Sequence, residues 1–236
     1  GTASLFASLI FQRIFPRVVF LSSLAAAGPS VNKEPVKESH PPHPVNAYGR
    51  SKLKAEEEAL KVKDRFRVII LRAGGVFGAG DMDFLYYFRL VNRGLLCSLG
   101  YRPRPSSLCY VKDLVRALLL VLRADVASGE IFNIADPKPY VWEDLGRAAA
   151  NTLGKKLRHV IVPEAAALLW AMGSDLIGRL ARRPSALNLD KFKILRQSHW
   201  VADVTKAGEK LGFETRYSLQ EAIDETIDWY VQNDWL

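Results

Sequence analysis

Two unbroken apolar runs, Val18-Val19-Phe20-Leu21 and Val68-Ile69-Ile70-Leu71, punctuate the first third of the chain. Each is too short for a helix and rich in β-branched residues, so they predict strands over 17–23 and 66–72. Neither run alternates with polar residues, which predicts a sheet covered on both faces. Between them a Pro/His-rich loop, 28–46, leads into a helix over 47–62. Strand, helix and strand in that order make a right-handed crossover between parallel neighbours. Upstream, Leu5, Leu9 and Ile10 mark the apolar stripe of a helix over 2–13. A loop and short helix follow over 74–94, then a strongly apolar helix over 113–123 and a third buried strand over 130–134.

Beyond this point the spacing turns helical. Helices are predicted over 142–153, closed by Gly154, and over 163–181, 203–211 and 218–231. Ser218, with Glu221 three residues on, forms a capping box at the start of the last. The whole pattern predicts an α/β fold, a partial doubly wound parallel sheet within 1–135 that carries an inserted loop, 74–106. A mostly helical, substrate-binding region over 136–236 completes it.

Composition narrows the class. The chain has 236 residues, 49% hydrophobic and 25% charged, enough for a sizeable core in one large or two small domains. Cys97 and Cys109 give no disulfide framework and fit a reducing, cytoplasmic compartment as small buried hydrophobes. The apolar stretch from Ser4 to Phe15 is too short to span a bilayer. The net charge is +8, but the basic residues are dispersed and the aromatics sit in apolar runs, so no nucleic-acid surface is expected. His40 and His43 have no Cys or carboxylate at ligand spacing, so no metal site is expected. Glu56, Glu57 and Glu58 read as a solvated helical face. Residues 165–183, with Leu168, Leu169, Trp170, Met172, Leu176 and Ile177, form an amphipathic stretch with a basic end. Packing over a substrate pocket is its expected role, contact with a membrane surface the alternative.

The candidate chemistry lies in Tyr48-Gly-Arg-Ser-Lys52. Four residues of helix advance the azimuth by roughly 400°, so Tyr48 and Lys52 point the same way, one turn apart. A nearby ammonium favours the phenolate, which suits a proton-transfer tyrosine. Ser23 arrives from another element, at the carboxyl end of a strand, where open α/β sheets bind their ligands. A Tyr-x-x-x-Lys pair alone is cheap. With eight tyrosines and a lysine frequency of roughly 6%, about half an instance is expected by chance.

The ordered context is what raises it. The strand ending in Ser22-Ser23 and the helix opening at Tyr48 are followed by Val68-Ile69-Ile70-Leu71-Arg72-Ala73-Gly74-Gly75-Val76-Phe77-Gly78-Ala79-Gly80-Asp81. Tyr110-Val111-Lys112-Asp113-Leu114-Val115-Arg116-Ala117 and Gly129-Glu130-Ile131-Phe132-Asn133-Ile134 then complete the series. From Gly1 to about Gly212 the chain resembles the extended short-chain dehydrogenase/reductase family, the NAD-dependent epimerase/dehydratase group. The resemblance makes 1–135 the remnant of a Rossmann-like catalytic domain. It implies Tyr48 as general acid/base, Lys52 on the nicotinamide ribose and Ser23 as the catalytic serine. It also implies Leu21, Ser22, Ala73, Gly74, Gly75 and Val76 along the cofactor, and Ser23, Ala25, Phe77, Arg102 and Arg104 on the substrate. Arg179, Arg182 and Arg183 flank the same expected substrate side.

The implied cofactor is NAD or NADP, and the residue that would choose between them is absent. No G-x-G-x-x-G occurs, and Gly1-Thr2 resembles the opening of the family's fourth helix, so about a hundred residues are expected to be missing before it. The family usually has Pro where this chain has Ala73, and His where it has Tyr110. The implied activity is oxidoreduction of a secondary alcohol or ketone, as in 3β-hydroxysteroid dehydrogenase- or dihydroflavonol reductase-like members. Nucleotide-sugar 4-epimerisation is the alternative, and a non-catalytic remnant or interaction subunit the reading from another class. A 4,6-dehydratase is disfavoured because Leu24-Ala25 lacks the acids that follow the catalytic serine or threonine there. The resemblance further implies a homodimer through helices 2–13 and 47–62.

Overall fold

The computed structural model describes the backbone of residues 1–181 and 189–236. Arg182 and Arg183 lie outside the described residues, as do the side chains of Leu176, Ile177 and Arg179. In chain order the elements are α1 (Thr2–Phe11), β1 (Arg17–Ser23), α2 (Leu24–Ala27), α3 (Ala47–Leu60), β2 (Arg67–Ala73), β3 (Gly75–Phe77), α4 (Asp83–Asn92), β4 (Leu95–Leu99) and β5 (Leu108–Tyr110). Then follow α5 (Val111–Arg123), β6 (Ile131–Ile134), α6 (Trp142–Leu153), β7 (Arg158–Val162), α7 (Glu164–Ala181), α8 (Leu189–Leu195), α9 (Thr205–Leu211) and α10 (Leu219–Gln232). They group into two compact units, one of residues 1–76, 107–138 and 200–216, the other of 77–106, 139–199 and 217–236.

The first unit is an α/β layer structure, as the apolar runs predict. Its sheet is parallel with order β1-β2-β6. β1 and β2 pair from Arg17 opposite Arg67 to Ser23 opposite Ala73. Along β2 the side chains alternate, so Val68 and Ile70 join Phe6, Ala59 and Phe66 under α1 and α3. Ile69 and Leu71 turn to the other face and pack with Leu114, Ala117 and Val121 of α5 and Ala207 and Leu211 of α9. All four strand residues are fully buried, the physical reason the run carries no polar alternation. Arg17 donates to the carbonyls of Val121, Leu122 and Ala124, satisfying orphan acceptors at the end of α5.

Residues 200–216 cluster with this first unit, whereas the sequence reading groups them with 136–236. Three features draw them back. Ala207, Leu211 and Phe213 cover the face of β6 that shows Phe132 and Ile134. Asn133 Nδ2 donates to the carbonyls of Val36 (2.9 Å) and Asp203 (3.1 Å). Glu130 receives Lys206 and Lys210, each at 2.6 Å.

The second unit contains a feature absent from the sequence reading, a parallel pair of β4 and β7 running from Leu95 opposite Arg158 to Leu99 opposite Val162. Both strands are five residues long, and Ser98 in the first and Arg158 and His159 in the second interrupt the continuous apolar signature seen in β1 and β2. Around them, α4, α6 and α10 share an aromatic core in which Phe84 meets Trp142 (5.5 Å between ring centroids) and Phe88 meets Tyr230 (6.1 Å). Gly154 closes α6 in the left-handed region, φ 62°. The Ser218 and Glu221 capping box opens α10.

Glu130 supplies a test of how 200–216 is fastened. Hydrogen bonds from Lys206, then from Lys210, hold its carboxyl below the ordinary value of 4.5. A folded value below the unfolded one means stability present above pH about 4.5 and lost as pH falls through the folded value. Glu130→Gln is expected to lower Tm by about 2–4 °C at neutral pH. The difference should shrink as pH falls below about 4.5, as followed by thermal melts across the acid range.

Candidate active site

β1 delivers Ser22 and Ser23 to the carboxyl end of the sheet. Ser23 is extended and caps the short helix α2, its Oγ accepting from the Ala25 N–H at 3.2 Å. Gly28, at φ 90°, ends that helix; a Cβ there would overlap the His43 carbonyl. The His43 N–H bonds the Ala27 carbonyl (2.9 Å) and its Nε2 lies 2.6 Å from the Pro29 carbonyl, so the Pro/His loop folds back onto α2.

α3 starts where Asn46, buried, accepts the Gly49 N–H on its Oδ1 at 2.8 Å. The next constraint is Gly49 itself. A Cβ at that position would overlap the Ala25 carbonyl oxygen. The first turn of α3 therefore lies backbone against backbone on the turn that follows Ser23, and a glycine is what permits the approach.

One turn apart on α3, Tyr48 and Lys52 face the same way. The Lys52 ammonium sits 5.8 Å from the centroids of both the Tyr48 and the Phe20 rings and donates to the Leu21 carbonyl at 3.1 Å. Tyr48 is 49% exposed, its ring open to a ligand arriving at the sheet end.

Glu56 corrects the sequence reading. It belongs to no solvated face: it is 1% exposed, while Glu57 is exposed. Its carboxylate accepts from Ser22 Oγ (2.5 Å), from Arg72 Nε (3.0 and 3.3 Å) and from Arg72 Nη2 (2.7 Å). Three successive glutamates suggested solvent. Of the three, Glu56 lies nearest in azimuth to Lys52, about 40° round the helix, and that spacing is the available signal.

β2 ends in the same layer, since Ala73 is the register partner of Ser23. With Ala73 where the family has Pro, the ladder continues, and Ala73 also pairs with Ile134 of β6. The Gly74 N–H bonds the Ile134 carbonyl (2.9 Å) and the Gly75 N–H the Ser107 carbonyl (3.0 Å). A Cβ on Gly74 would stand 2.6 Å from the Ser107 oxygen. Gly75 is exposed and Val76 partly so. The structure thus brings Leu21, Ser22, Ser23, Ala25, Tyr48, Lys52, Ala73, Gly74, Gly75 and Val76 into the first unit at one end of its sheet. Phe77, Arg102 and Arg104 belong to the second unit. Phe77 is buried, with its ring 5.9 Å from that of Phe84, and Arg102 is exposed. Arg104 binds the Leu99 carbonyl at 3.2 Å, the Arg196 carbonyl and the Glu164 carboxylate.

The sheet-end arrangement suits the nicotinamide half of a dinucleotide. Lys52 has three N–H donors and gives one to Leu21, leaving donors for ribose hydroxyls. Gly75, just past the end of β2, is exposed. Among the described residues, no group of three or more His, Cys, Asp or Glu could hold a metal ion. The two thiols carry no activating charge. Burial, with Asp113 and Asp136 nearby, pushes Cys109 up to about 12, and burial also raises Cys97.

Comparison with known proteins adds to this geometry. The profile of the NAD dependent epimerase/dehydratase family matches residues 1–135. The ceramide reductase of Caulobacter vibrioides is 26% identical over 222 residues, covering 93% of this chain and 64% of its own length. An Escherichia coli O157:H7 enzyme, N-acetyl-alpha-D-glucosaminyl-diphospho-ditrans,octacis-undecaprenol 4-epimerase, is 26% identical over 220 residues, covering 90% of this chain and 64% of its own. The chain therefore spans somewhat less than two thirds of these relatives. Among solved structures, the UDP-glucuronic acid 4-epimerase of Bacillus cereus, in complex with UDP-glucuronic acid and NAD, superposes with a TM-score of 0.74. It is 18% identical and covers 98% of this chain and 66% of that one, which shows a shared fold.

The Gly49 contact is testable by substitution. Gly49→Ala should cost about 1–3 kcal/mol, because backbone must move to admit the methyl. Gly173→Ala, with open space around it, is the control. Equal denaturant midpoints for the two variants would contradict the close approach of α3 to α2.

Proposed function

The chain belongs to the NAD dependent epimerase/dehydratase family, and we propose that it carries the reacting half of an NAD(P)-dependent oxidoreductase acting on a secondary alcohol or ketone. The observation that carries the proposal is the placement of Lys52 between the Leu21 carbonyl and the Tyr48 ring, at the sheet end where β1 delivers Ser23. Bound NAD(P) supplies a hydride acceptor, or donor when reduced, at C4 of its nicotinamide. In the oxidising direction the substrate loses a hydride with its electron pair from the carbinol carbon. Tyr48 takes the hydroxyl proton and Ser23 holds the same oxygen by a hydrogen bond, leaving a ketone. Lys52 binds the nicotinamide ribose through the ammonium donors that Leu21 leaves unused. Leu21, Ser22 and the backbone of Ala73, Gly74, Gly75 and Val76 line the cofactor, and Ala25 borders the substrate.

The names of the two curated relatives support an apolar, lipid-borne substrate. α7 supports it too: between Glu164 and Asp175 it carries no charge and exposes Leu168, Leu169, Trp170 and Met172. In this reading the second unit is the substrate-binding region, and Phe77, Arg102 and Arg104 are its proposed substrate residues. Because Arg104 is held by Glu164, Arg102 is the freer of the two guanidinium groups for an anionic substrate. Nucleotide-sugar 4-epimerisation is the second reading, since the same half-reaction followed by return of the hydride to the opposite face inverts the carbon. The protein is expected to act in the cytoplasm as a homodimer through α1 and α3, where α1 exposes Leu5 and Phe11.

Two measurements test the proposal. In the full-length protein Tyr48→Phe keeps the ring and deletes the proton donor, so kcat should fall by roughly 10² or more with cofactor affinity nearly intact, while Lys52→Met should impair both. Unchanged turnover in Tyr48→Phe would remove Tyr48 from the mechanism. The 236 residues by themselves offer contacts to the nicotinamide half and no glycine-rich pyrophosphate turn. Calorimetric titration of this polypeptide with NAD should show binding weaker than about −4 kcal/mol, a millimolar dissociation constant. Micromolar binding would contradict that expectation.

A further inference from the structure

The proposed reaction draws on three separate elements: Ser23 from β1, Tyr48 and Lys52 from α3, and the 73–76 segment after β2. One side chain links α3 to β1 and β2. Glu56 is part of α3, its carboxylate receives the Ser22 hydroxyl from β1, and Arg72 of β2 reaches it through Nε and Nη2. Ser22 and Arg72 are register partners in the parallel ladder, so the carboxylate closes across the paired strand ends. Each partner stands immediately before a segment the chemistry needs, Ser22 before Ser23 and Arg72 before Ala73. Arg72 Nη1 is buried with no hydrogen-bond partner among the described residues, which leaves Glu56 as the anchor of the guanidinium.

Resting on the reading above, we propose that Glu56 is a positioning residue for hydride transfer: it sets the angle of α3 so that Tyr48 and Lys52 meet Ser23 and the 73–76 backbone. Glu56 lies eight residues from Tyr48 on the same helix, about 12 Å along the axis. A tilt of roughly 5° about that anchor would carry Tyr48 about 1 Å, and a misplacement of that size costs on the order of 10²-fold in rate. The carboxylate is too deeply buried to meet a substrate, being 1% exposed, so its effect passes through the helix.

The test separates positioning from stability in the full-length protein. A buried ion pair exchanged for apolar side chains of similar volume often leaves stability unchanged. The double variant Glu56→Leu with Arg72→Met should therefore melt close to wild type, yet lose about tenfold or more in kcat while KM for NAD changes little. A double variant with wild-type Tm and wild-type kcat would overturn the proposal. If the double variant melts early, Ser22→Ala decides. It keeps the ion pair and removes one hydroxyl, so Tm should fall by only a few degrees, leaving the protein folded in the assay, and kcat should drop by about threefold or more; an unchanged kcat overturns the proposal by that route. Tyr48→Phe is run in parallel. Full activity there would count against the hydride-transfer reading itself, whereas an inactive Tyr48→Phe beside a fully active double variant would count against Glu56 alone.

Discussion

A carboxylate sealed beneath the ends of two parallel strands organises this molecule. Burying an ionised Glu56 would be costly without compensation, and the compensation is complete on its side: one hydroxyl and two guanidinium nitrogens surround it. Because those donors come from β1 and β2 while the acceptor comes from α3, satisfying the charge fixes the three elements against one another. Ser23 and Ala73 follow that junction directly, and Lys52 lies one helical turn from Glu56. The same logic explains why Ser22 and Arg72 are buried although neither is apolar.

Around the junction the backbone is packed without slack. Gly49 lets α3 rest on the Ala25 carbonyl, Gly74 lets the 73–76 segment pass the Ser107 carbonyl, and Asn46 fixes the first turn of α3. Each contact shortens the distance between segments that carry polar groups toward one end of the sheet. Ligands of open α/β sheets bind at that end because strand and helix termini there expose unsatisfied backbone groups, and the arrangement of Ser23, Tyr48, Lys52 and Gly75 follows this rule.

Much of this was legible in the sequence, and the limits are physical. The apolar runs disclosed both strands, although only β2 is buried on both faces, whereas β1 is partly buried from Arg17 to Phe20 and exposes Leu21. The capping signals at Gly154 and Ser218 disclosed helix ends because orphan backbone groups demand them. Spacing placed Tyr48 and Lys52 on one helical face. What periodicity does not carry is which distant element a side chain will meet. Glu56 looked like part of a charged surface until Arg72, sixteen residues later in the chain, was seen beneath it. The β4 and β7 pair escaped because Ser98, Arg158 and His159 interrupt strands of only five residues, which leaves no distinctive pattern. Residues 200–216 joined the first unit through an apolar stripe that reads the same wherever it docks.

The proposed function puts the nicotinamide end of NAD against Lys52, Tyr48 and the 73–76 backbone. The most direct measurement is a structure of the full-length protein with NAD bound. It should show ribose hydroxyls within hydrogen-bonding distance of Lys52 Nζ, the nicotinamide against the Ala73 to Val76 backbone, and the Tyr48 hydroxyl facing C4. A dinucleotide whose nicotinamide lies away from Tyr48 and Lys52 would contradict the account.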